Sequence, residues 1–558
     1  MHLRLYVREL NQNLEGGALH MEWGSDPENF QITTGYVRIR HINRALMETW
    51  FREISLVDID TLPDEGGILF TTWHPGGLID PMLMMASLPG NLTFAAKHTL
   101  FKVPILGRII RMAGAKPVHR AQDSSGGDTG NRSAKNSNLI ESLGDAVAMG
   151  GRVAIFPEGV SHLEAHPVRL RTGAARILLH AIRKANAEGQ AMPNVVPLGL
   201  HYTDQHRFRE RVSLQVNNPL PIPPLPGEDG APQPTESELA EFGEQAHDRA
   251  WCGVITELLK SEMNRCNQAQ ETWEDRELVW RARRMVHVYR ANQGQAPSGP
   301  LPYEQALLGS RRVRAAWQFK SEHEPEVTEQ IEERFREHHE DMNHLGLRSW
   351  EISNREERIS KRSLLKNLIY WIWSISWMLG VVSWGAVIGS IPPYMLTRVI
   401  TNQYVKRESN KSGLGSMKIL CSVALYPIWW LMISIPIGWL ISSPNSPIQD
   451  VQLPSLILPL LAGIPWPLMA FIVLLWWPIS ARLHLRLYAR ASRSWRALKL
   501  GLKLRSGSID WDALLQTHSG LAHELATIGS GLVLPGDPDW EEPESGMEDW
   551  QRVRVRTD

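Results

Sequence analysis

Three long stretches without Asp, Glu, Lys, Arg or His dominate the second half of the chain. They extend over Asn367–Thr397, Ile419–Gln449 and Val451–Ala481. A helix needs about 20 mostly apolar residues to cross the hydrocarbon core of a bilayer, which is about 30 Å thick. Each stretch is long enough, so the pattern predicts an α-helical membrane domain over residues 366–482.

The basic residues around these stretches predict their topology. The loop Ser442–Pro454 contains no Lys or Arg, whereas basic residues precede the second stretch at 406–418 and follow the third at 482–490. Because positive charge collects on the cytoplasmic side, these two stretches predict a hairpin with both ends in the cytoplasm. The first stretch is basic on both sides, which favours a re-entrant or in-plane hairpin over a full crossing. It would bend near Gly380 or end at Pro392-Pro393. Core helices of a soluble domain are the remaining alternative.

Between Thr49 and Asn218, short apolar runs alternate with helical stretches, as in an α/β layer fold. The runs predict buried strands, and the intervening segments have the length and periodicity of helices. We expect an α/β domain with a mainly parallel sheet flanked by helices over residues 46–234, after an N-terminal extension over 1–45. The expected strands are Gly67–Trp73, Leu92–Ala96, Arg152–Phe156 and Asn194–Leu200, and the expected helices are Pro81–Ser87, Val103–Ala113, Ser137–Met149 and Thr172–Ala187.

The residues from 235 to 365 predict a charged helical region that covers this domain. Thr235 and Glu238 form a capping-box pattern ahead of one helix, whose apolar positions recur from Leu239 to Met263. The histidines at positions 338, 339 and 344 lack the spacing of a metal site. We therefore expect them on a solvated helix face.

The segment 483–558 combines a basic helix with an acidic end. Basic residues recur every three or four positions from Arg482 to Lys503, with leucine and tryptophan among them. This is typical of a basic amphipathic helix on an anionic leaflet, although a helix packed on the protein fits the same pattern. The acidic end, Asp537–Glu548, is expected to be a tail.

Composition narrows the class and the compartment. The 558 residues carry a formal net charge of −1, which excludes a globally basic nucleic-acid binder. The three cysteines form neither a metal-type cluster nor a disulfide framework. The first residues contain no apolar run of signal-peptide length. We therefore expect a cytoplasm-facing first half.

The segment His74-Pro75-Gly76-Gly77-Leu78-Ile79-Asp80 is the first candidate for chemistry. Asp80 precedes Pro81 at the expected helix start, where Asp is a favoured N-cap and Pro a favoured first residue. Such a strand-to-helix turn lies at the edge of a parallel sheet where α/β proteins bind ligands. Asp80 can accept the proton of one imidazole nitrogen and leave the other as a base. On this spacing alone, a structural pair is the commoner case.

Three further blocks occur in a fixed order. They are Gly114–Arg120, the run Phe156–His162 and the strand end Val195–Tyr202. Together with the His74/Asp80 block they resemble the glycerolipid acyltransferase superfamily, which includes glycerol-3-phosphate and lysophosphatidate acyltransferases. The resemblance covers roughly Trp50–Pro219.

The resemblance implies a role for each block. His74 would be the general base that removes a proton from an acceptor hydroxyl, and Asp80 would orient it. Arg120 would bind the acceptor phosphate. No metal and no cofactor are implied, since acyl-CoA or acyl carrier protein would be the co-substrate. The other implied substrate-binding residues are Gly77, Phe156, Pro157, Glu158, Gly159, Ser161 and His162, with Pro197 in the block associated with the acyl donor.

The spacing of the His/Asp pair departs from the common family pattern. Most members have four residues between His and Asp, whereas this chain has five, Pro75 to Ile79. The Gly-Gly loop can absorb the extra residue. The longer spacing is similar to that of fungal-type glycerol-3-phosphate and dihydroxyacetone-phosphate acyltransferases, as are the Phe-Pro-Glu-Gly-x-Ser-His run and the Gly-Leu-x-Tyr strand end.

The resemblance therefore implies a membrane-bound O-acyltransferase that transfers a fatty acyl group from acyl-CoA or acyl carrier protein to glycerol 3-phosphate. The product would be lysophosphatidate, made in phospholipid biosynthesis. The partners would be the acceptor, the acyl thioester donor and membrane lipids. Two alternatives remain: a lysophosphatidate acceptor, which would give phosphatidate, and a catalytically silent membrane scaffold.

Overall fold

The computed structural model describes residues 34–118, 129–352, 360–407, 411–443, 463–507 and 510–556. The chain divides into two compact units. The first comprises Met1–Asp341 with Ala522–Asp558, and the second comprises Met342–Leu521. The second unit is therefore an insertion in the sequence of the first.

A seven-stranded sheet forms the centre of the first unit. Its strands are β1 (Glu53–Val57), β2 (Ile68–Thr71), β3 (Leu92–Lys97), β4 (Lys116–Val118), β5 (Arg152–Ile155), β6 (Asn194–Tyr202) and β7 (Arg211–Val216). The strand order is β1-β7-β6-β2-β5-β3-β4. Every neighbouring pair of this sheet is parallel except β6 and β7. The expected α/β domain with a mainly parallel sheet is confirmed.

All four expected strands are present, but the sequence reading missed β1, β4 and β7. β1 is half-buried along its whole length, and β4 has only three residues, of which Lys116 and Pro117 are exposed. Neither strand offers the continuous apolar run of a strand that is buried on both faces. β7 alternates polar and apolar residues and is mostly buried because it pairs with both β1 and β6.

Helices cover the sheet of the first unit. All four residues of β2 are buried, as expected for a parallel strand with helices on both faces. The helix over residues 34–50 is hydrogen-bonded to the helix over residues 79–87, because Arg44 and Asn43 donate to the carbonyls of Ala86 and Met82. The helices are α1 (Thr34–Trp50), α2 (Ile79–Ser87), α3 (Leu106–Met112), α4 (Thr129–Ala148), α5 (Gly173–Glu188), α6 (Glu236–Phe242), α7 (Gln245–Cys266), α8 (Trp273–Asn292), α9 (Tyr303–His323) and α10 (Pro325–Leu345).

Two helices follow Thr235, where the sequence predicts one. The capping box forms, since Thr235 and Glu238 exchange side-chain and backbone hydrogen bonds at the start of α6. However, α6 ends at Phe242, and Gly243 has a φ of 56°. Glycine adopts this left-handed region readily. The helical spacing of the apolar residues thus continues across Gly243, although the helix itself is interrupted there.

The charged helices pack on the first unit, and two of their histidines are buried. α9 contacts β1 and β7, so this region covers the edge of the sheet. His338 and His339 are only 2% and 5% exposed, whereas His344 is exposed. The expected solvated face is therefore wrong for the first two. Burial, followed by the nearby Arg281, lowers the pKa of His338 to about 4.

All the regular elements that the structure describes in the second unit are helices. The first apolar stretch forms α11 and α12, which meet at Gly380. α12 continues through Pro392 and Pro393, so the chain bends at Gly380 and does not end at the prolines. Whether this bend lies in a bilayer stays a prediction. The helices are α11 (Lys361–Leu379), α12 (Val381–Arg407), α13 (Leu414–Ser442), α14 (Trp466–Arg505) and α15 (Trp511–Ile528), the last of which ends in the first unit.

Two segments of the described chain are long and apolar enough to cross a membrane, Lys411–Ser442 and Trp466–Arg505. Only 11% and 28% of their most apolar windows are buried, unlike a core helix of a soluble protein. The third apolar stretch and the basic stretch share the single 40-residue helix α14, which is about 60 Å long. The loop between α13 and α14 lies mostly outside the described residues. The topology of the hairpin stays a prediction.

Close packing in this unit depends on small residues. A Cβ at Gly389 would lie 2.5 Å from the ring of Trp477, and one at Gly438 would lie 2.5 Å from the backbone of Ala470. Trp430 donates its indole N–H to the carbonyl of Gly389 at 2.7 Å. Small residues at helix contacts let helices approach closely in membrane proteins.

The acidic C-terminal segment packs in the first unit, so the prediction that Asp537–Glu548 form a tail is wrong. Its residues pack in the first unit with arginines of α9, around a buried apolar cluster that includes Ala315 and Leu534. Arg311 donates to both oxygens of Asp549 at 2.8 and 2.7 Å and also to Glu542. Burial opposes the charge of Arg311, but its hydrogen bonds to Asp549 and Glu542 raise its pKa above the ordinary value. We call residues 532–552 the acidic clasp.

We expect the substitution Asp549→Asn to loosen the acidic clasp. The Asp549 side chain is only 4% exposed and forms charge-assisted bonds with Arg311, and such bonds contribute about 1.5–3 kcal/mol each. Amide hydrogen exchange over residues 532–552, measured by mass spectrometry, should become about tenfold faster or more. Glu541→Gln is the matched control, because Glu541 is 68% exposed and surface pairs contribute little. Equal exchange in both variants would contradict the expectation.

Candidate active site

The His74 and Asp80 side chains form a buried pair at the carboxyl end of β2. The Nδ1 of His74 lies 2.8 Å from the Oδ2 of Asp80. The side chain of His74 is 11% exposed and that of Asp80 is fully buried. The ring of Phe156, which follows β5, stacks on the imidazole with ring centroids 4.0 Å apart. The imidazole is thus held at one nitrogen and on one face.

The Asp80 carboxylate accepts three hydrogen bonds. Besides His74, the backbone N–H of Gly76 donates to its Oδ2 at 2.9 Å. The hydroxyl of Tyr202 donates to its Oδ1 at 2.6 Å. A carboxylate accepts but does not donate when ionised, so His74 presents its Nδ1 proton to Asp80. In the neutral imidazole, Nε2 then carries no proton and can act as a base.

The loop between His74 and Asp80 is built on glycines. A Cβ on Gly76 would collide with Oδ1 of Asp80 and lie 3.3 Å from the Tyr202 hydroxyl oxygen. Gly77 has a φ of 61°. The loop between β2 and α2 has one residue more than the common family spacing. Its glycines accommodate that residue in a turn in which a side chain would be strained.

The expected N-cap role of Asp80 is wrong. The helix α2 begins at Ile79, with Leu78 at the N-cap position and Asp80 in the first turn. The Asp80 side chain therefore accepts from His74 and Tyr202 rather than capping the helix, and its negative charge still lies near the positive end of the helix dipole.

The Glu158 carboxylate fixes the backbone of His74. Its Oε2 accepts the backbone N–H of His74 at 2.8 Å, and its Oε1 accepts the backbone N–H of Val168 at 2.9 Å and Nε2 of His162 at 2.7 Å. The Glu158 side chain is fully buried. Its oxygens therefore bond groups within the protein and support His74, and a role of Glu158 in substrate binding stays a prediction.

His162 completes this support. The backbone N–H of Glu164 donates to its Nδ1 at 3.2 Å, so Nδ1 is an acceptor and Nε2 carries the proton given to Glu158. The backbone N–H of His162 also donates to the carbonyl of His74 at 3.3 Å. The run that starts at Phe156 thus holds both backbone polar groups of His74.

The remaining predicted site residues are distributed as follows. The Pro157 carbonyl accepts the N–H of Arg171, and the Gly159 N–H closes a turn on the Phe156 carbonyl. Ser161 is half-buried in the same loop. Pro197 is buried inside β6, opposite Thr71, the last residue of β2. Arg120 lies outside the described residues. The binding roles of all these residues stay predictions.

Tyr202 is the residue that the sequence reading missed. It ends β6, next to β2 in the sheet, and is 6% exposed. The Gly-Leu-x-Tyr strand end was noted only as part of the family pattern. Its place beside the His74 block could have been inferred from adjacent parallel strands, because their carboxyl ends share one edge of the sheet.

One cavity of the first unit lies away from the His74/Asp80 pair. It has a volume of about 1270 Å³ and is lined by the loop 166–172 and by residues of α7, α8, α9 and α10. His74 and Asp80 do not line it. Within the described chain, no group of three or more His, Cys, Asp or Glu side chains could hold a metal ion.

Comparisons with known proteins point to one family. A family model described as acyltransferase matches residues 53–200. Glycerol-3-phosphate O-acyltransferase 2 from Saccharomyces cerevisiae is 33% identical over 106 residues, which are 19% of this chain and 14% of the yeast protein. An uncharacterized acyltransferase from Schizosaccharomyces pombe is 35% identical over 74 residues, 13% of this chain and 10% of that protein.

A solved structure is also similar. It is the 1-acyl-sn-glycerophosphate acyltransferase PlsC from Thermotoga maritima, which is 16% identical, with a TM-score of 0.26 over 39% of this chain and 79% of that one. The chain spans only a small part of the two fungal relatives it matches. Residues 53–200 carry the acyltransferase family signature, so the resemblance inferred from the motifs is confirmed.

We expect the alkaline absorbance titration of the purified chain to be unchanged by Tyr202→Phe up to about pH 10. Burial, reinforced by the neighbouring Asp80 charge, raises the pKa of Tyr202 well above its ordinary value, so its hydroxyl keeps its proton. The measurement compares tyrosinate absorbance in parent and variant, with circular dichroism at each pH to confirm folding. A tyrosinate signal near pH 10 that the variant lacks would contradict this.

Proposed function

We propose that the chain is a membrane-bound O-acyltransferase that transfers a fatty acyl group from acyl-CoA or acyl carrier protein to glycerol 3-phosphate, forming lysophosphatidate. The main support is the buried pair of His74 and Asp80, whose 2.8 Å contact occupies Nδ1 and directs Nε2 away from it. The match of residues 53–200 to the acyltransferase family and the partial similarity to the yeast enzyme agree with this proposal.

The transfer would need no covalent enzyme intermediate. Nε2 of His74 removes the proton of the acceptor hydroxyl while the hydroxyl oxygen attacks the thioester carbonyl carbon. A C–O bond forms, and the tetrahedral intermediate then breaks its C–S bond. The proton held by His74 passes to the leaving thiolate, which restores the neutral imidazole. Asp80 stabilises the imidazolium that exists between these steps.

Guanidinium groups are the proposed contacts for the acceptor phosphate. Arg120 remains the candidate from the sequence. Arg171 is a second candidate, because it is exposed and its Nε would lie 3.2 Å from a Cβ at Gly159. A guanidinium can bind a phosphate through two parallel hydrogen bonds.

The proposed location is a membrane, with the catalytic unit in the cytoplasm. Its support is the pair of long apolar segments Lys411–Ser442 and Trp466–Arg505, together with basic residues on their outer flanks. At the boundary between cytoplasm and bilayer, both the polar phosphate of the acceptor and the acyl chain of the product would be accommodated.

We expect His74→Ala to lower the rate of thiol release by about 10²–10⁴-fold, the usual contribution of a general base. The assay follows free thiol from an acyl-CoA with glycerol 3-phosphate and the full-length protein in lipid. His287→Ala is the matched control, because His287 lies on α8, away from the strand ends of the site, and its ring bonds the carbonyl of Gly299 in the following loop. Undiminished turnover in the His74 variant would remove the proposed base.

A panel of acceptors with one donor should identify the reaction. We expect glycerol 3-phosphate to support the fastest thiol release and mass spectrometry to detect lysophosphatidate. Faster turnover with lysophosphatidate or dihydroxyacetone phosphate would assign that acceptor instead. A folded parent protein that transfers no acyl group with either donor type would favour the silent scaffold.

A further inference from the structure

A cluster of exposed apolar side chains follows β3 in the first unit. Val103, Ile105, Ile109 and Met112 are 44%, 79%, 43% and 41% exposed. They lie in and just before α3, whose Gly107 and Ile110 are buried against the unit. One face of this short segment therefore attaches it to the fold, while its large apolar side chains face outward.

The backbone conformation at Ile105 indicates that this exposure is functional. Ile105 has a φ of 64° and a ψ of −58°, and the N–H of Leu106 donates to the carbonyl of Pro104 at 2.7 Å. This is the rare and strained form of γ-turn, and a β-branched residue with positive φ is an outlier. The turn holds the most exposed isoleucine of the cluster outward, and strain of this kind is concentrated at functional positions.

All Lys, Arg, Asp and Glu residues of the segment that carries the cluster are basic. Residues 81–122 contain six Lys or Arg residues and no Asp or Glu, although the chain as a whole has 60 acidic residues among 558. Apolar side chains ringed by cations match the surface of an anionic bilayer. Protein interfaces, by contrast, are depleted in lysine. The exposed cations are Lys102, Arg108, Arg111 and Lys116.

The segment that carries the cluster leaves the sheet on the same edge as the candidate active site, before it returns to the start of β4. β2, β5 and β3 are parallel neighbours, so their carboxyl ends share one edge. His74 follows β2, Phe156 follows β5, and the segment with the exposed side chains follows β3. A surface bound there would be close to the open end of the site.

We propose that residues 102–116 form a lipid-docking surface, in which the apolar cluster inserts among the headgroups of an anionic bilayer and the surrounding cations pair with lipid phosphates. This surface belongs to the first unit and is separate from the apolar helices of the second. It orients the edge of the sheet that carries His74 toward the membrane. It does not depend on the proposed reaction, because the test below measures no turnover.

The test measures how deeply position 105 enters lipid. The full-length protein with Ile105→Cys is labelled with a bimane fluorophore and reconstituted in vesicles of phosphatidylcholine with phosphatidylglycerol, some lipids carrying a doxyl quencher. The control is Met192→Cys, because Met192 is 46% exposed and precedes β6, at the opposite edge of the sheet. The labelled parent chain gives the background from Cys421, since Cys252 and Cys266 are buried.

We expect several-fold stronger doxyl quenching at position 105 than at position 192. Combining Arg108→Glu with Arg111→Glu, or omitting phosphatidylglycerol, should reduce the quenching at 105 toward the control level. If Ile105→Cys fails to fold, Ile109→Cys serves as the second probe position. Equal quenching at the two edges would overturn the proposal. So would a probe at 105 that neither lipid quencher nor aqueous iodide reaches, because protein would then cover the cluster.

Discussion

The candidate site depends on one buried carboxylate. Asp80 has no exposed surface, and a buried charge is tolerated only when donors surround it. Its donors come from three places: the strand end at His74, the glycine loop at Gly76 and the end of the adjacent strand at Tyr202. Satisfying this carboxylate therefore fixes the length of the loop, the need for glycine at position 76 and the orientation of the imidazole together.

A second carboxylate does the same for the backbone. Glu158 accepts the N–H of His74, while His162 donates its own N–H to the His74 carbonyl and its ring proton to Glu158. His74 is thus held through its ring, its backbone and, by Phe156, its face. Groups held this closely need little reorganisation when charge develops on them. The Phe-Pro-Glu-Gly-x-Ser-His run acts here as a support for His74.

The sequence was informative where a signal is local and less so where it depends on distant partners. The continuous apolar run of β2 and the capping box at Thr235 were read correctly. Gly243 interrupts a helical spacing that itself contains no break. No local pattern assigns Tyr202, because its contact with Asp80 joins residues 122 positions apart and depends on β6 lying next to β2 in the sheet. The acidic residues were misread for the same reason: charge runs are usually solvated, but the arginines that pair with them lie more than 200 positions earlier in the chain.

The acidic clasp also constrains how the first unit can assemble. Arg265, Arg311 and Arg314 are largely buried, and their partners Glu542, Glu548 and Asp549 belong to the last segment of the described chain. Since removing one partner from a buried pair leaves an uncompensated charge, the first unit reaches its final packing only after the whole of Met342–Leu521 has been made.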